Sequence, residues 1–389
     1  MSECRSLYVH VPFCRSKCAY CDFNSYARQE HLIPAYVDAL LREATLWAES
    51  RAVGRVETLY FGGGTPSLLP IAETRRLLDG LRQRFDVATG AEVTMEANPE
   101  SVDAGRLHTL RRMGVNRLSL GVQSFDDAEL RFLGRIHDAE RAEEAYRAAR
   151  SAGFASVSID LIFGLPGQMV AQWRRSLEKA VALGPDHLSL YALTLEEDTP
   201  LARRVAAGEC AEPDPDVQAE MYTLSSERLA QASCEQYEIS NWAKPGHRCR
   251  HNLTYWHSEP YLGLGAGAHS YQNGYRLANE RAPERYIELV TAGRGARPWD
   301  PTTLPHVESF ERPDAEREMS DAVILGLRLT EGVSMAALGH RFGVDLGERY
   351  GREIDELEAL GLLESVDGRI RLTERGRLLG NEAFQRFLP

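Results

Sequence analysis

The chain has 389 residues, with 43% hydrophobic and 26% charged side chains and a formal charge of −12. That length predicts roughly two domains, or one large α/β domain with an appendage, and the composition excludes a disordered or fibrous protein. The acidic balance argues against a protein built to grip nucleic-acid phosphates. No run approaches the roughly 18 uncharged apolar residues of a membrane-spanning helix. The start, Met1-Ser2-Glu3-Cys4-Arg5, has no apolar stretch behind a basic end. Neither a secretory signal nor an intrinsic membrane segment is expected, and the expected location is cytoplasmic.

The first half alternates between strand and helix patterns. Strands are predicted at Leu7–Val11, Glu57–Phe61, Glu92–Glu96, Arg117–Val122, Ser156–Phe163 and His187–Ala192. Helical spacing falls between them, at Pro34–Ala52, Ile71–Phe85, Val102–Met113 with Ser101 as N-cap, within Asp126–Ala152, and at Val170–Leu183. Six such units fall short of a closed eight-fold barrel, so the predicted fold is α/β with a partial barrel; periodicity alone leaves a six-stranded open Rossmann sheet available. The acidic, proline-containing loop Glu212-Pro213-Asp214-Pro215-Asp216 closes this part, giving expected divisions at 1–215, 216–310 and 311–389. A helix is predicted at about Val217–Ala232. Residues 236–280 are rich in aromatics, glycine, histidine and asparagine, with little helical pattern. The tail reads as helices at Asp321–Leu329, Met335–Phe342 and Leu346–Leu360, then a strand pair around Asp367-Gly368 and a last helix. This order resembles a winged helix. Beyond Ser334 the tail has no lysine and fewer arginines than carboxylates, against a DNA-reading role.

Seven cysteines in so long a chain do not make a disulfide scaffold. Cys14, Cys18 and Cys21 form C-x3-C-x2-C just after the first strand, while Cys4, Cys210, Cys234 and Cys249 are scattered. Thiolates are soft ligands suited to zinc or iron–sulfur clusters. Three ligands on a four-iron cluster leave one iron open for a substrate or cofactor; the alternative is a Cys3His zinc site using His10.

C-x3-C-x2-C at this position resembles the radical SAM superfamily. Tyr8-Val9-His10-Val11-Pro12-Phe13-Cys14 and Tyr20-Cys21-Asp22-Phe23 narrow the likeness to the oxygen-independent coproporphyrinogen III oxidase-like family, over about residues 7 to 389. The resemblance implies a radical SAM barrel with a C-terminal, mostly helical, winged-helix-like domain. It also implies a [4Fe–4S] cluster on Cys14, Cys18 and Cys21, with S-adenosylmethionine chelating the open iron.

Gly62-Gly63-Gly64-Thr65-Pro66 follows the second strand and lets backbone approach a ligand closely. It is neither G-x-G-x-x-G nor a P-loop, and by itself it is equally a tight turn. Polar residues recur where a barrel presents its site: Glu96, Gln123, Arg135 and Asp160, the last interrupting an apolar run, which is costly unless it is paired or faces a cavity. By resemblance, Tyr8, Gly63, Gly64, Thr65, Glu96, Gln123, Arg135, Asp160 and Ala192 contact S-adenosylmethionine, and Tyr20 packs near its adenine.

Three departures separate this chain from the family's oxidases. Phe23 stands where they resemble C-x3-C-x2-C-x-C; they carry a sizeable N-terminal extension; and Arg250-His251-Asn252-Leu253-Thr254-Tyr255-Trp256 matches the H-N-x-x-Y-W signature of the heme chaperone branch. The resemblance therefore implies heme as a further cofactor and cargo, a heme-acceptor protein as partner, and no nucleic-acid partner. His251 is the expected heme ligand, since neutral imidazole is a good axial ligand; a histidine among tyrosines and tryptophan is equally a packed, hydrogen-bonded residue. Oxidative decarboxylation of coproporphyrinogen III is the competing function. Radical modification of RNA also fits the cysteines but lacks a basic surface.

Overall fold

The computed structural model describes residues 3–50, 53–293, 300 and 303–389. The first half supplies six strands of the main sheet: β1 (Cys4–Val11), β2 (Val53–Gly63), β3 (Val87–Ala97), β4 (Arg117–Gln123), β5 (Ser156–Phe163) and β6 (His187–Ala192). They lie side by side in chain order, each parallel to the next. A Rossmann sheet reverses its order of filling at a switch point. A sheet filled strictly in sequence, with helices outside, is instead the arrangement of a partial barrel.

The two-residue period of each strand sorts the side chains. Leu7, Val9, Leu59, Phe61, Val93, Met95, Leu118, Leu120, Val157, Ile159, Leu188 and Leu190 bury themselves in one continuous core. Covering them are α1 (Ile33–Glu49), α2 (Ile71–Arg84), α3 (Ala104–Arg112), α4 (Asp127–Leu133), α5 (Ala139–Ser151) and α6 (Val170–Leu183). The alternate positions are polar: Ser6, Tyr8 and His10; Thr58 and Tyr60; Glu92, Thr94 and Glu96; Arg117, Ser119 and Gln123; Ser158 and Asp160; Ser189 and Tyr191. The barrel is therefore lined with hydrogen-bonding groups.

The second segment continues this sheet at both edges. After α7 (Pro200–Ala206) and α8 (Pro215–Gln231) come β7 (Glu235–Glu238) and β8 (Asn241–Ala243); β8 pairs antiparallel with β6. Beyond α9 (Arg250–Trp256), β9 (Tyr261–Leu264) pairs parallel with the far side of β1. Antiparallel β10 (His269–Gln272), β11 (Tyr275–Asn279) and, after α10 (Pro283–Ala292), β12 (Val307–Glu311) complete a twelve-stranded sheet. One buried carboxylate ties this extension to the barrel. Glu43 of α1 accepts from the Gly265 amide at 2.8 Å, Asn279 Nδ2 at 2.8 Å and the Tyr286 hydroxyl, and pairs with His306 at 3.2 Å. Burial alone would raise its pKa, but His306 and these donors hold it below the usual glutamate range.

The tail has its own core, built on Met319, Val323, Leu346, Tyr350, Ile354 and Leu357. It runs α11 (Ala315–Gly326), β13 (Val333–Ser334), α12 (Met335–Phe342), α13 (Leu346–Ala359), β14 (Leu363–Val366) and β15 (Arg369–Leu372), the order of a winged helix. Asp367 and Gly368, at φ of 51° and 73°, form its two-residue hairpin turn.

Three element expectations need correcting. The helix expected at Val102 starts at Ala104, because the Asp103 carboxylate accepts from the Arg106 amide; Ser101 instead closes a single turn with Asn98. The helix expected at Asp321 starts at Ala315, capped by Asp314. The region 236–280 holds short strands and a seven-residue helix, whose half-buried edge positions leave little regular pattern.

Candidate functional site

The strand ends open into a cavity of about 370 Å³ at the carboxyl end of the barrel. Cys14, Cys18, Tyr20, Cys21, Gly63, Gly64, Thr65, Glu96, Gln123, Arg135, Asp160 and Ala192 all line it. Every residue singled out from the sequence as a cluster or S-adenosylmethionine contact is there except Tyr8. Its ring lies below, against Gly62, with its hydroxyl 3.0 Å from His10 Nδ1.

The cysteine loop is clamped from both sides. The Gly64 amide donates to Val11 O at 2.9 Å and the Thr65 amide to Phe13 O at 2.9 Å. A side chain at position 64 would strike the Phe13 carbonyl at 2.8 Å and Cys14 Sγ at 3.0 Å, so only glycine lets the two loops touch. From the other side the Ala19 amide donates to the Leu133 carbonyl that ends α4, at 3.1 Å, while Ala19 O accepts from the Leu201 amide at 2.8 Å.

A chain of hydrogen bonds joins two of the cysteines across the cavity wall. Arg135 donates to Cys18 Sγ at 3.4 Å, to Asn98 Oδ1 at 2.7 Å and to Gly121 O at 2.9 Å. Asn98 Nδ2 donates to Thr65 Oγ1 at 3.0 Å, and Thr65 Oγ1 lies 3.5 Å from Cys14 Sγ. Asn98 and the serines below were missed in the sequence. The signal was there as strict alternation, in R-L-S-L-G, S-V-S-I-D and H-L-S-L-Y.

Two of the carboxylates that line the cavity, Glu96 and Asp160, are buried at its strand ends. Glu96 accepts from the Tyr60 hydroxyl at 2.8 Å and the Gly63 amide at 3.1 Å. Burial, with Asp160 adding to it against these donors, raises its pKa to about 7. Asp160 is held by Ser119 at 2.8 Å and Ser158 at 2.8 Å, with Ser189 a third donor; burial still raises its pKa. Gln123 ends β4 in the left-handed region at φ 68°, strain of the kind that collects at ligand sites.

The chain was compared with known proteins. Residues 8–180 match the radical SAM superfamily and residues 314–379 the HemN C-terminal domain. The heme chaperone HemW of Bacillus subtilis is 36% identical over 385 residues, 99% of each chain. HemW of Mycobacterium tuberculosis strain H37Rv is 41% identical over 98% of this chain and 94% of its own. The chain belongs to the HemW family. The mitochondrial radical S-adenosyl methionine domain-containing protein 1 of mouse is 44% identical over 92% of this chain and 81% of its own. Among solved structures, the Escherichia coli coproporphyrinogen III oxidase HemN superposes with a TM-score of 0.84 at 25% identity, over 99% of this chain and 90% of that one.

Membership of this radical SAM family implies a [4Fe–4S] cluster and S-adenosylmethionine, and the donor set fits both. The three cysteines carry no disulfide and border one cavity. His10, the fourth ligand of the zinc alternative, has Nδ1 against Tyr8 and Nε2 2.8 Å from Asn24 O.

The H-N-x-x-Y-W segment forms α9, which closes the barrel at the end opposite the cysteine loop. Glu92 accepts from the Arg250 and His251 amides at 3.2 and 3.1 Å, favourable at a helix N-terminus. Thr254 Oγ1 meets Ser6 Oγ at 2.8 Å, and Asn252 reaches the cavity. The expectation that His251 is a heme ligand is corrected here. Its ring is 1% exposed, stacks on Tyr60 at 5.0 Å, and has Nδ1 2.8 Å from Thr58 Oγ1 and Nε2 2.9 Å from Tyr255 OH. Burial, with Arg117 nearby, lowers its pKa to about 3, so it is a neutral pin of the barrel floor with neither nitrogen open to a metal. No described helix is long and apolar enough to cross a membrane.

Proposed function

We propose that this chain is a cytoplasmic heme chaperone that binds heme and passes it to an acceptor protein. Its division of labour would be a barrel with cofactor loop in 1–215, a sheet extension in 216–310 and a docking or lid domain in 311–389. The observation that carries the reading is near full-length likeness to proteins named heme chaperones, on a chain whose cavity gathers the expected cofactor residues.

Cys14, Cys18 and Cys21 would hold the cluster, and the strand-end residues S-adenosylmethionine. Bound together, the two supply one-electron cleavage chemistry, whose reactivity belongs to the cofactors. The protein's part is geometric and electrostatic. Gly63 and Gly64 let the second loop pack directly on His10 and the cysteine loop, the ionised Glu96 attracts an ammonium group, and Asp160, fixed by three serines, presents an oriented acceptor. Arg135 ties the Cys18 sulfur to the cavity wall. Phe23 and Tyr191, 62% and 45% exposed, flank the cavity as apolar faces open to a flat macrocycle.

The test is an anaerobic titration of the reconstituted protein with heme, alongside incubation with coproporphyrinogen III and S-adenosylmethionine. Saturable heme binding without protoporphyrinogen is expected. Protoporphyrinogen formed at an enzymatic rate would overturn the chaperone reading.

A further inference from the structure

A heme iron needs an axial donor, and no histidine is among the described residues lining the cysteine-end cavity. His251 has both nitrogens bonded. A second cavity, of about 360 Å³, opens on the same face of the sheet.

Strand register puts it there. β9 lies along β1 with Tyr261 opposite Ser6 and Gly263 opposite Tyr8, so Tyr261 continues the row of barrel-lining positions. Tyr271 of β10 pairs with Tyr261, and Arg276 of β11 pairs with Tyr271. His269, two residues before Tyr271, shares their face. Across the groove, Ile324 and Leu325 of α11 supply an aliphatic wall. Tyr255 of α9 closes the end, its ring edge-on to Tyr261 at 4.6 Å.

The polar groups deeper in the groove are engaged. Glu318 accepts from the Tyr271 hydroxyl at 3.1 Å, and Asp321 pairs with Arg276. His269 differs. It is exposed, and among the described residues neither ring nitrogen makes a hydrogen bond or ion pair. Partial burial and the charge of Arg281 lower its pKa, so at neutral pH the imidazole keeps a lone pair to give. Arg281 has no ion pair of its own among the described residues. Its carbonyl accepts from Asn24 Nδ2 at 3.0 Å and the Tyr26 hydroxyl at 3.2 Å, which ties this rim to the segment following the cysteine loop.

A neutral imidazole, flat aromatic rings, an aliphatic helix face and an unpaired cation suit one kind of ligand: a porphyrin iron carrying ionised propionates. We propose that this groove holds heme, with His269 as axial ligand and Arg281 as propionate partner; the assignment rests on the heme reading above. An open groove leaves one edge of the macrocycle in solvent, where an acceptor can reach it.

The test is a hemin titration of the full-length, cluster-loaded protein, followed at the Soret band. The wild type should bind saturably. His269→Gly should weaken binding about tenfold and shift the band. Added imidazole should restore the wild-type band in that variant, which a loss of packing would not allow. Arg281→Gln should weaken binding of hemin but not of its dimethyl ester. Both positions are exposed, so cluster content and melting temperature should stay at wild-type values. A His269→Gly variant with wild-type affinity and an unshifted band overturns the site and leaves the chaperone reading standing. Equal weakening of hemin and its ester in Arg281→Gln overturns the propionate contact. A wild type that binds no hemin overturns both the site and the chaperone reading.

Discussion

Glutamine in place of Glu96 should make the protein more stable and less able to hold its cofactor, with a pH signature that separates the two effects. Glu96 titrates at about 7 in the folded chain against 4.5 when unperturbed. Between those values the folded state keeps a proton that the unfolded chain has released, so stability falls as pH rises through the window. At roughly 1.4 kcal/mol per pH unit of separation, the folded state has lost about 3 kcal/mol by about pH 8. Glutamine has no charge to desolvate. It keeps one oxygen for the two donors, Tyr60 and the Gly63 amide, and gives up about 1 kcal/mol. Glu96→Gln should therefore be slightly less stable than wild type near pH 5 and about 2 kcal/mol more stable near pH 8. Denaturant unfolding of both proteins without S-adenosylmethionine across that range measures the difference. Calorimetric titration with S-adenosylmethionine should show wild-type affinity rising with pH through about 7, as the carboxylate forms, and a weaker, flat profile in the variant. A variant equally destabilised at both ends of the range would refute the burial argument.

Serine at Cys14, Cys18 or Cys21 should remove the thiolate-to-iron absorption and about four irons per chain after anaerobic reconstitution, whereas serine at Cys4, Cys210 or Cys234 should remove neither. Glu43→Ala leaves the Gly265 amide, Asn279 and Tyr286 without their acceptor and His306 without its partner; denaturant unfolding should show a loss of about 3–5 kcal/mol. Because the folded pKa of Glu43 is depressed, its contribution is present above the normal glutamate pKa and fades as the pH falls through the lower folded value. His251→Ala should cost about 2–4 kcal/mol through its lost hydrogen bonds to Thr58 and Tyr255 and its lost stack on Tyr60, with an unchanged heme spectrum; an altered Soret band would restore His251 as a ligand.

Where the chain repeats a local rule, its structure was legible. Ser156–Phe163, Val170–Leu183 and Met335–Phe342 fall where their spacing puts them: the strand is an apolar run, the first helix buries one face through Trp173, Ser176, Leu177 and Ala180, and the second lies between its Ser334 cap and left-handed Gly343. The cysteine loop and the strand-end polar residues were legible for a related reason: chemistry-bearing side chains break an apolar pattern and stand out. The barrel lining hid behind the same rule. Serines and threonines at alternate positions read as the solvent face of an ordinary strand, and only the closed shape turns that face inward. His251 shows the opposite difficulty. Residue type cannot tell an imidazole that awaits a metal from one whose two nitrogens are already bonded, since Thr58 lies 193 residues away in sequence.

The parallel pairing of β9 with β1 fixes when the molecule can be finished. β1 gains β2 as a neighbour early in synthesis, but its other edge stays open until residues 261–264 have been made. Until then the strand that leads into the cysteine loop presents unpaired amides and carbonyls, a template for pairing with other chains. The floor helix α9, the partners of Glu43 and the closing strand all come from the same late stretch of sequence. A nascent chain that has already exposed Cys14, Cys18 and Cys21 therefore has its metal loop on an unsealed barrel. Quality control follows directly: a product cut short before residue 261 carries every cysteine of the cluster loop and yet lacks the wall that keeps the loop's supporting strand from aggregating.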